Sequence, residues 1–461
     1  EAGVIWTGSN DGPFHVTRDN GKTWTNVTPK DLPPGGRVQY IDASPIRKGS
    51  AYYAAYRYLL GDYQPYIYKT DDYGKTWTRL TDGKNGIPAD WPTRVVREDP
   101  NREGLLYAGT EFGLFISFDN GAHWQAFQLN LPNTPVTDIK IHHKDLVVST
   151  QGRAMWILDN ISSIEQLSPA NNPATVHLYK PRDGYRTRVS PNLLGPTIEY
   201  FLPAVPAGPV VLDILDAKGA VVSSYNSDTA PAAGRGGARG GRGGAAPGAG
   251  AAGAGANAAA ADVQAPAPDP EAGAGGGGGG RGRGGAPPTR VTKDAGHNRV
   301  VWDLRHQPSG LALPPGQYQA RLTVAGAAQT QPFTVLLDPN VAADGVTTAD
   351  LVEQFEHNLR MRDLVASTAD TVTRVRNGKA QVSADPDKAK RLQALSDQLL
   401  NTPEGVRYNK PGLQSHVTYL AGMTTGADQK IGRDAIERYN TLKKQLDDIR
   451  AELDKLLGPG R

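Results

Sequence analysis

The sequence predicts a mainly β chain with an α-helical C-terminal region. Three observations carry that prediction. An octapeptide recurs three times in the first third of the chain. Short alternating apolar runs continue to about residue 340. After about residue 347 the apolar spacing changes from two to three and four. The 461 residues allow two to four domains, and the composition divides them at 1–168, 172–340 and 347–457.

The repeat comes first. Thr17-Arg18-Asp19-Asn20-Gly21-Lys22-Thr23-Trp24 matches Thr70-Asp71-Asp72-Tyr73-Gly74-Lys75-Thr76-Trp77. Ser117-Phe118-Asp119-Asn120-Gly121-Ala122-His123-Trp124 matches both, with His for the second Thr. Each copy follows a pair of predicted strands: Val4 to Gly8 with Phe14 to Thr17, Ala51 to Tyr58 with Tyr66 to Thr70, and Leu105 to Thr110 with Leu114 to Ser117. A fourth unit, over Val136 to Ile141, Leu146 to Thr150 and Met155 to Leu158, keeps the rhythm without the octapeptide. Strand, strand, turn, strand at a period of about fifty residues is the pattern of β-propeller blades. In the octapeptide, Asp19, Asp72 and Asp119 are expected to accept turn N–H groups. Gly21, Gly74 and Gly121 supply positive φ. Trp24, Trp77 and Trp124 lay an apolar ring against the neighbouring blade.

Ser/Thr-x-Asp-x-Gly-x-Thr-Trp resembles the Asp-box, or bacterial neuraminidase repeat, of sialidases, xyloglucanase-type glycoside hydrolases and the sortilin propeller. The wider layout is similar to the C-terminal portion of secreted bacterial "glycosyl hydrolase" or sortilin-like repeat proteins. Gly109-Thr110-Glu111-Phe112-Gly113-Leu114-Phe115 and Asn298-Arg299-Val300-Val301-Trp302-Asp303-Leu304-Arg305 add to the likeness. The resemblance implies an Asp-box propeller, an Ig-like sandwich and a helical segment in a secreted or periplasmic protein. Three full units and one lacking its first strand fall short of a closed ring of four to eight blades. The expectation is an excised piece, with remaining propeller blades of a parent chain as partners.

From 172 to 340 the strands Val176 to Tyr179, Thr197 to Leu202, Val210 to Asp213, Val221 to Tyr225, Arg299 to Leu304, Gln317 to Val324 and Gln331 to Leu336 predict an antiparallel sandwich. A Gly-, Ala-, Pro- and Arg-rich insertion at about 229–288 interrupts it. Beyond it, Thr347 with Asp350 three residues on opens a helix. Asp385-Pro386 opens a second, Leu413 to Leu420 marks a third, and a fourth ends at Gly458-Pro459. An antiparallel bundle over 347–457 follows.

Composition excludes several chemistries. Lys+Arg 50 against Asp+Glu 47 leaves a formal +3, too little to make nucleic acid the main partner. Arg235, Arg281 and Arg283 sit among glycines without an aromatic residue to stack on bases. Zero cysteines remove disulfides, thiolate metal sites and a cysteine nucleophile. No apolar run reaches a membrane span. No phosphate-cradling loop, Ser-His-Asp set or dinucleotide fingerprint is present, so no cofactor is expected. His142-His143 lie adjacent in a strand and should face opposite sides, which argues against a metal pair.

A glycosidase needs two carboxylates about 5 to 10 Å apart. The acids available in blades are Asp11, Asp42, Glu98, Asp99, Glu111 and Asp138, of which Asp42, Asp99 and Asp138 are the catalytic candidates. No motif pairs any two of them. A sialidase would add an arginine triad and a Tyr nucleophile. Arg37, Arg94 and Arg153 recur at similar places, with Tyr40 or Tyr107 available, yet no motif joins them. Aromatic density is the better clue. Eight tyrosines crowd residues 52–73, and Tyr63 and Trp91 fall in loops. Tyr63, Trp91, Arg94 and Arg153 are therefore the binding candidates. The leading expectation is a recognition protein that binds a glycan or a protein segment at the propeller mouth. The alternative is a glycoside hydrolase using paired carboxylates.

Overall fold

The computed structural model describes residues 1–167, 175–187, 195–228, 289–404 and 408–459; the predicted insertion at about 229–288 lies outside them. Four successive antiparallel sheets form from the repeats. The first contains β1 (Ile5–Gly8), β2 (Phe14–Thr17) and β3 (Thr25–Asn26). The second contains β4 (Arg37–Ala43), β5 (Ala51–Arg57), β6 (Asp62–Thr70) and β7 (Thr78–Arg79). The third contains β8 (Thr93–Glu98), β9 (Leu106–Thr110), β10 (Leu114–Ser117) and β11 (Gln125–Ala126). The fourth contains β12 (Val136–His142), β13 (Asp145–Thr150) and β14 (Met155–Leu158). Two units therefore have four strands and two have three, where the repeat predicts three full units. The two-residue strands β3, β7 and β11 after each octapeptide are too short to carry an apolar pattern.

The sheets stack face to face as propeller blades do, each interface filled by large side chains. Phe14, Tyr53, Tyr66 and Tyr68 join the first two sheets; Tyr52, Ile67, Phe115 and Trp124 join the second and third. Tyr107, Ile116, Val136 and Ile139 join the third and fourth. Most of the crowded tyrosines are thus core.

A short helix α1 (Ser162–Gln166) leads to two further sheets. One is β15 (His177–Leu178), β17 (Thr197–Leu202) and β20 (Gly296–Val301). The other orders β16 (Gly184–Arg186), β22 (Ala327–Leu337), β21 (Gly316–Val324), β18 (Val210–Asp216) and β19 (Val221–Asn226). They share one core around the fully buried Trp302, with Tyr200, Ile214, Leu322 and Phe333. This region is not wholly antiparallel, because β16 pairs with β22 in parallel. A three-residue strand gives no readable alternation. β20 also begins three residues earlier than the pattern suggests and ends at Val301.

The helices are α2 (Pro339–Ala343), α3 (Thr348–Gln381), α4 (Pro386–Leu399), α5 (Leu413–Thr425) and α6 (Arg433–Leu457), with a small hairpin of β23 (Thr402–Glu404) and β24 (Tyr408–Lys410) before α5. Thr347 and Asp350 form a reciprocal capping box on α3, and Asp385 caps α4 ahead of Pro386. Leu364, Val375, Leu392, Leu420 and Leu446 lie in the shared core of α3 to α6. No described helix is long and apolar enough to cross a membrane.

Candidate functional site

Each blade is an up-and-down meander, so its connections fall alternately at two ends. One end holds the octapeptides and the turns between first and second strands. The other holds the turns between second and third strands and the segments leading into each first strand.

At the octapeptide end the three copies repeat one set of bonds. Asp19 Oδ1 accepts from Thr23 N–H at 2.9 Å, and Asp72 Oδ1 accepts from Thr76 N–H at 2.9 Å. Asp119 Oδ1 accepts from His123 N–H at 2.9 Å, and His123 Nδ1 lies 2.7 Å from Asp119 Oδ2, where the other copies use a Thr hydroxyl. Asn20, Tyr73 and Asn120 sit at φ near +60°, each followed by the expected positive-φ glycine. Their N–H groups donate to Gly3, Gly49 and Gly104 carbonyls at 3.0, 2.9 and 2.8 Å, closing each turn onto its own sheet. Hydrogen bonds from Thr23 hold Asp19 down at about 2, and turn hydrogen bonds, working against burial, keep Asp72 and Asp119 below the usual aspartate range. Trp77 Nε1 donates to Val27 O at 2.6 Å and Trp124 Nε1 to Leu80 O at 2.9 Å, so each of these rings bonds the sheet before its own. Trp24 has no described sheet before it; it stays exposed and donates to Gly21 O at 3.2 Å in its own turn. The carboxylate oxygens of Asp19, Asp72 and Asp119 are all occupied within their own turns, which is a structural use of aspartate.

Across the first strands runs a charged relay. Asp42, Arg97 and Lys140 occupy the same register position on β4, β8 and β12. Asp42 accepts from Arg97 Nη1 at 2.7 Å and from Glu98 N–H at 2.8 Å. Arg97 continues to Ile139 O at 2.7 Å and Asp138 Oδ1 at 3.3 Å, with its guanidinium over the Tyr40 ring. Burial pushes Asp42 up to about 7, against the pull of the Glu98 N–H. Asp138 is half exposed. Nearer the octapeptide end, the buried Glu98 takes bonds from Ser44 Oγ, Tyr52 OH and Gly104 N–H and pairs with Arg47 at 3.4 Å. Asp99 accepts from Asn101 and Arg102 N–H at 2.8 and 3.2 Å as a turn aspartate, and burial raises it to about 6.

At the other end the loops differ from sheet to sheet. The β5–β6 connection is a 3-10 turn, Tyr58–Leu60, that exposes Leu59 (75%) and Leu60; Tyr63 (55% exposed), expected in a loop, is instead the second residue of β6, whose pairing with β5 continues to Asp62. Tyr56 and Tyr58 stack at 4.6 Å, with the Arg37 and Arg94 guanidinium groups 6.0 and 5.6 Å from the Tyr56 ring. Arg94 Nε pairs with Glu111 Oε1 at 2.7 Å. Trp91 is half buried against Phe112 and Phe115 at 5.1 and 5.7 Å, and Phe112 is 41% exposed. Arg153 is exposed on the β13–β14 loop, its carbonyl receiving Trp156 Nε1 at 2.8 Å.

Of the binding candidates, Tyr63, Trp91, Arg94 and Arg153 all fall at this end, though on three different loops or their margins. Of the acidic candidates, Asp42 and Asp138 share one guanidinium, whereas Asp99 is committed to a turn. Asp11 is exposed on the β1–β2 loop. Arg97, the hub of the relay, was not among the candidates. The sequence signal is slight: Asp42 and Arg97 each stand one residue before the end of their strand and Lys140 two before the end of its own, each directly after a β-branched residue. His142 and His143 also differ from expectation. β12 ends at His142 and His143 turns to φ +48°, so the rings meet at 4.2 Å. Among the described residues no group of three His, Cys, Asp or Glu is placed to hold a metal.

No protein-family model matches the chain. Over 117 residues it is 32% identical to an oligoxyloglucan-reducing end-specific xyloglucanase of Emericella nidulans, covering 24% of this chain and 13% of that protein. Among solved structures it is similar to YCF48 bound to a D1 peptide, at 15% identity and a TM-score of 0.27 over 46% of this chain and 61% of that one. It is also similar to the GH74 xyloglucanase of Xanthomonas campestris, at 15% identity and a TM-score of 0.28 over 42% of this chain and 31% of that one. The chain thus spans about an eighth of the curated relative's length and less than two thirds of either solved structure.

Proposed function

We propose that the chain is an extracytoplasmic recognition protein whose loop end, opposite the octapeptide turns, binds an extended glycan or protein segment. One observation carries this reading: side chains that could have been buried or paired are instead displayed there. Leu59 and Tyr63 are exposed at the same end as the Tyr56–Tyr58 stack, and so is Phe112 against Trp91. Arg37 and Arg153 make no ion pair among the described residues. Aromatic faces stack on sugar rings or grip peptide side chains, while arginine supplies directed donors. The test is binding of the full chain to glycan and peptide arrays, repeated with Tyr63→Ala and Arg37→Ala. A ligand whose affinity falls about tenfold or more in both variants supports the reading. Binding untouched by either substitution sinks it.

A second reading, glycoside hydrolysis, draws on the relay. A buried acid raised to about 7 and a half-exposed carboxylate on one guanidinium are the ingredients of acid–base cleavage. The name of the xyloglucanase relative points the same way. It ranks second because Asp42 is only 6% exposed and each of its oxygens is already engaged by a protein donor, Arg97 or Glu98 N–H. Reducing-end release from xyloglucan that disappears in Asp42→Asn and Asp138→Asn would reverse the ranking.

A further inference from the structure

The loop end carries aromatic and aliphatic side chains, and the two kinds are not equally free to meet a ligand. Most of the aromatic faces are taken up inside the protein. Trp91 packs against Phe112 and Phe115 at 5.1 and 5.7 Å. Tyr56 is buried and stacked on Tyr58, with the Arg37 and Arg94 guanidinium groups beside its ring. Tyr63 and part of the Phe112 ring remain in solvent. The aliphatic side chains show the reverse. Leu59 and its neighbour Leu60 (58%) are exposed on the β5–β6 turn, and Leu129 (66%) is exposed in the segment leading into β12.

The turn that holds Leu59 and Leu60 is braced from beneath. Gly61, at φ +76°, closes it by donating its N–H to Tyr58 O at 3.0 Å. Below, Arg57 Nε donates to Asp62 Oδ2 at 2.8 Å and Arg57 Nη1 to Pro33 O at 2.8 Å. Tyr66 OH donates to the same Asp62 oxygen at 2.7 Å. Leu60 leans over Gly35, where a Cβ would stand 3.1 Å from Leu60 Cδ1. The two leucines are thus held out on a fixed base, and little ordering cost is left for a partner that covers them.

We infer that the ligand of this end is a polypeptide segment with an apolar side chain beside a carboxylate, and that Leu59 and Leu60 are its main contact. The inference rests on the recognition reading above and narrows it. A sugar carries hydroxyl groups around its ring. Set against leucine they would lose water without gaining a partner, whereas an apolar side chain gains by leaving water there. The charge at the base of the turn favours an acid. Arg57 is paired with Asp62 and Arg94 with Glu111. Arg37, opposite Tyr56 in the β4–β5 register, makes no ion pair among the described residues and is a directed donor for a carboxylate. Asp11 and Asp90, exposed at the same end, set it against an anionic bilayer.

The test pans the full chain against a displayed library of random dodecapeptides and an array of neutral and acidic oligosaccharides. The expected ligand is a peptide with an apolar residue next to Asp or Glu. Its affinity, read by fluorescence anisotropy, should fall about tenfold or more in Leu59→Ser with Leu60→Ser and survive in Leu59→Met with Leu60→Met. Both double variants should melt with wild type, because the two side chains are in solvent. A glycan ligand lost in Tyr63→Ala and Arg37→Ala but untouched by the serine pair overturns this inference and leaves the recognition reading standing. A peptide lost in those two variants and indifferent to the serine pair does the same. Leucine-dependent binding to phosphatidylcholine–phosphatidylglycerol vesicles overturns it by giving the leucines to lipid. Binding to neither array overturns both readings.

Discussion

The two ends of the blade stack are built from the same strands and differ in what their loops do. At the octapeptide end, three turns repeat the same bonds to within 0.1 Å for the Gly N–H to Thr or Ser hydroxyl contact, 2.9 Å in each. Their aspartates are consumed locally, and Trp77 and Trp124 are spent on the sheet before. At the opposite end the β5–β6, β9–β10 and β13–β14 loops differ in length and sequence and leave aromatic and arginine side chains facing solvent. Repetition in this chain marks scaffold, and divergence marks the surface available for recognition. Asp19, Asp72 and Asp119, the most conspicuous acids in the sequence, are for that reason poor catalytic candidates.

Six substitutions would break or sharpen that contrast. The largest effect is expected from Trp124→Ala, which empties a buried site between two sheets and removes one of the two hydrogen bonds to Leu80 O, the other coming from Asn85 Nδ2; it should cost about 3–5 kcal/mol. Trp24→Ala, with no sheet before it, should cost under about 1 kcal/mol. Equal losses in chemical denaturation would mean that the ring stabilises its own turn and not the blade junction.

Next is the pH response of Asp99. Its folded pKa is raised by burial to about 6, so the folded state holds a proton that the unfolded chain has released. Its contribution to stability is therefore fully present below the ordinary aspartate pKa and is lost as pH rises through about 6, a change of about 2–3 kcal/mol at most. Asp99→Asn keeps the acceptor for Asn101 and Arg102 N–H and removes the charge. Its stability should exceed wild type at pH 8 and approach it at pH 4. Parallel stability–pH curves for the two proteins would refute this.

Asp72→Ala removes the acceptor for Thr76 N–H and two hydroxyls in one turn, and should cost about 1–2 kcal/mol. The smallest effect belongs to the loop end. Leu59→Ala and Tyr63→Ala should change stability by less than about 0.5 kcal/mol, which thermal melts can check. A large loss there would make those side chains scaffold too and erase the contrast.

Much of this was legible in advance. The octapeptide turns, the rhythm of the fourth sheet, the capping box at Thr347 and Asp350 and the start of α4 at Asp385-Pro386 all rest on bonds spanning a few residues. Local sequence determines such features because the donor, the acceptor and the positive-φ glycine stand within one turn of each other. The aromatic richness of residues 52–73 was legible as well, but not its division into buried Tyr52, Tyr53, Tyr66 and Tyr68 and displayed Tyr63.

That division, the parallel pairing of β16 with β22, and the Asp42–Arg97–Asp138 relay were decided only by tertiary structure. Arg97 lies 55 positions from Asp42 and 41 from Asp138, and nothing in a linear pattern says which strands will lie side by side. Turn chemistry is short-range and is carried by the residues themselves. Burial and charge pairing depend on what the chain brings alongside.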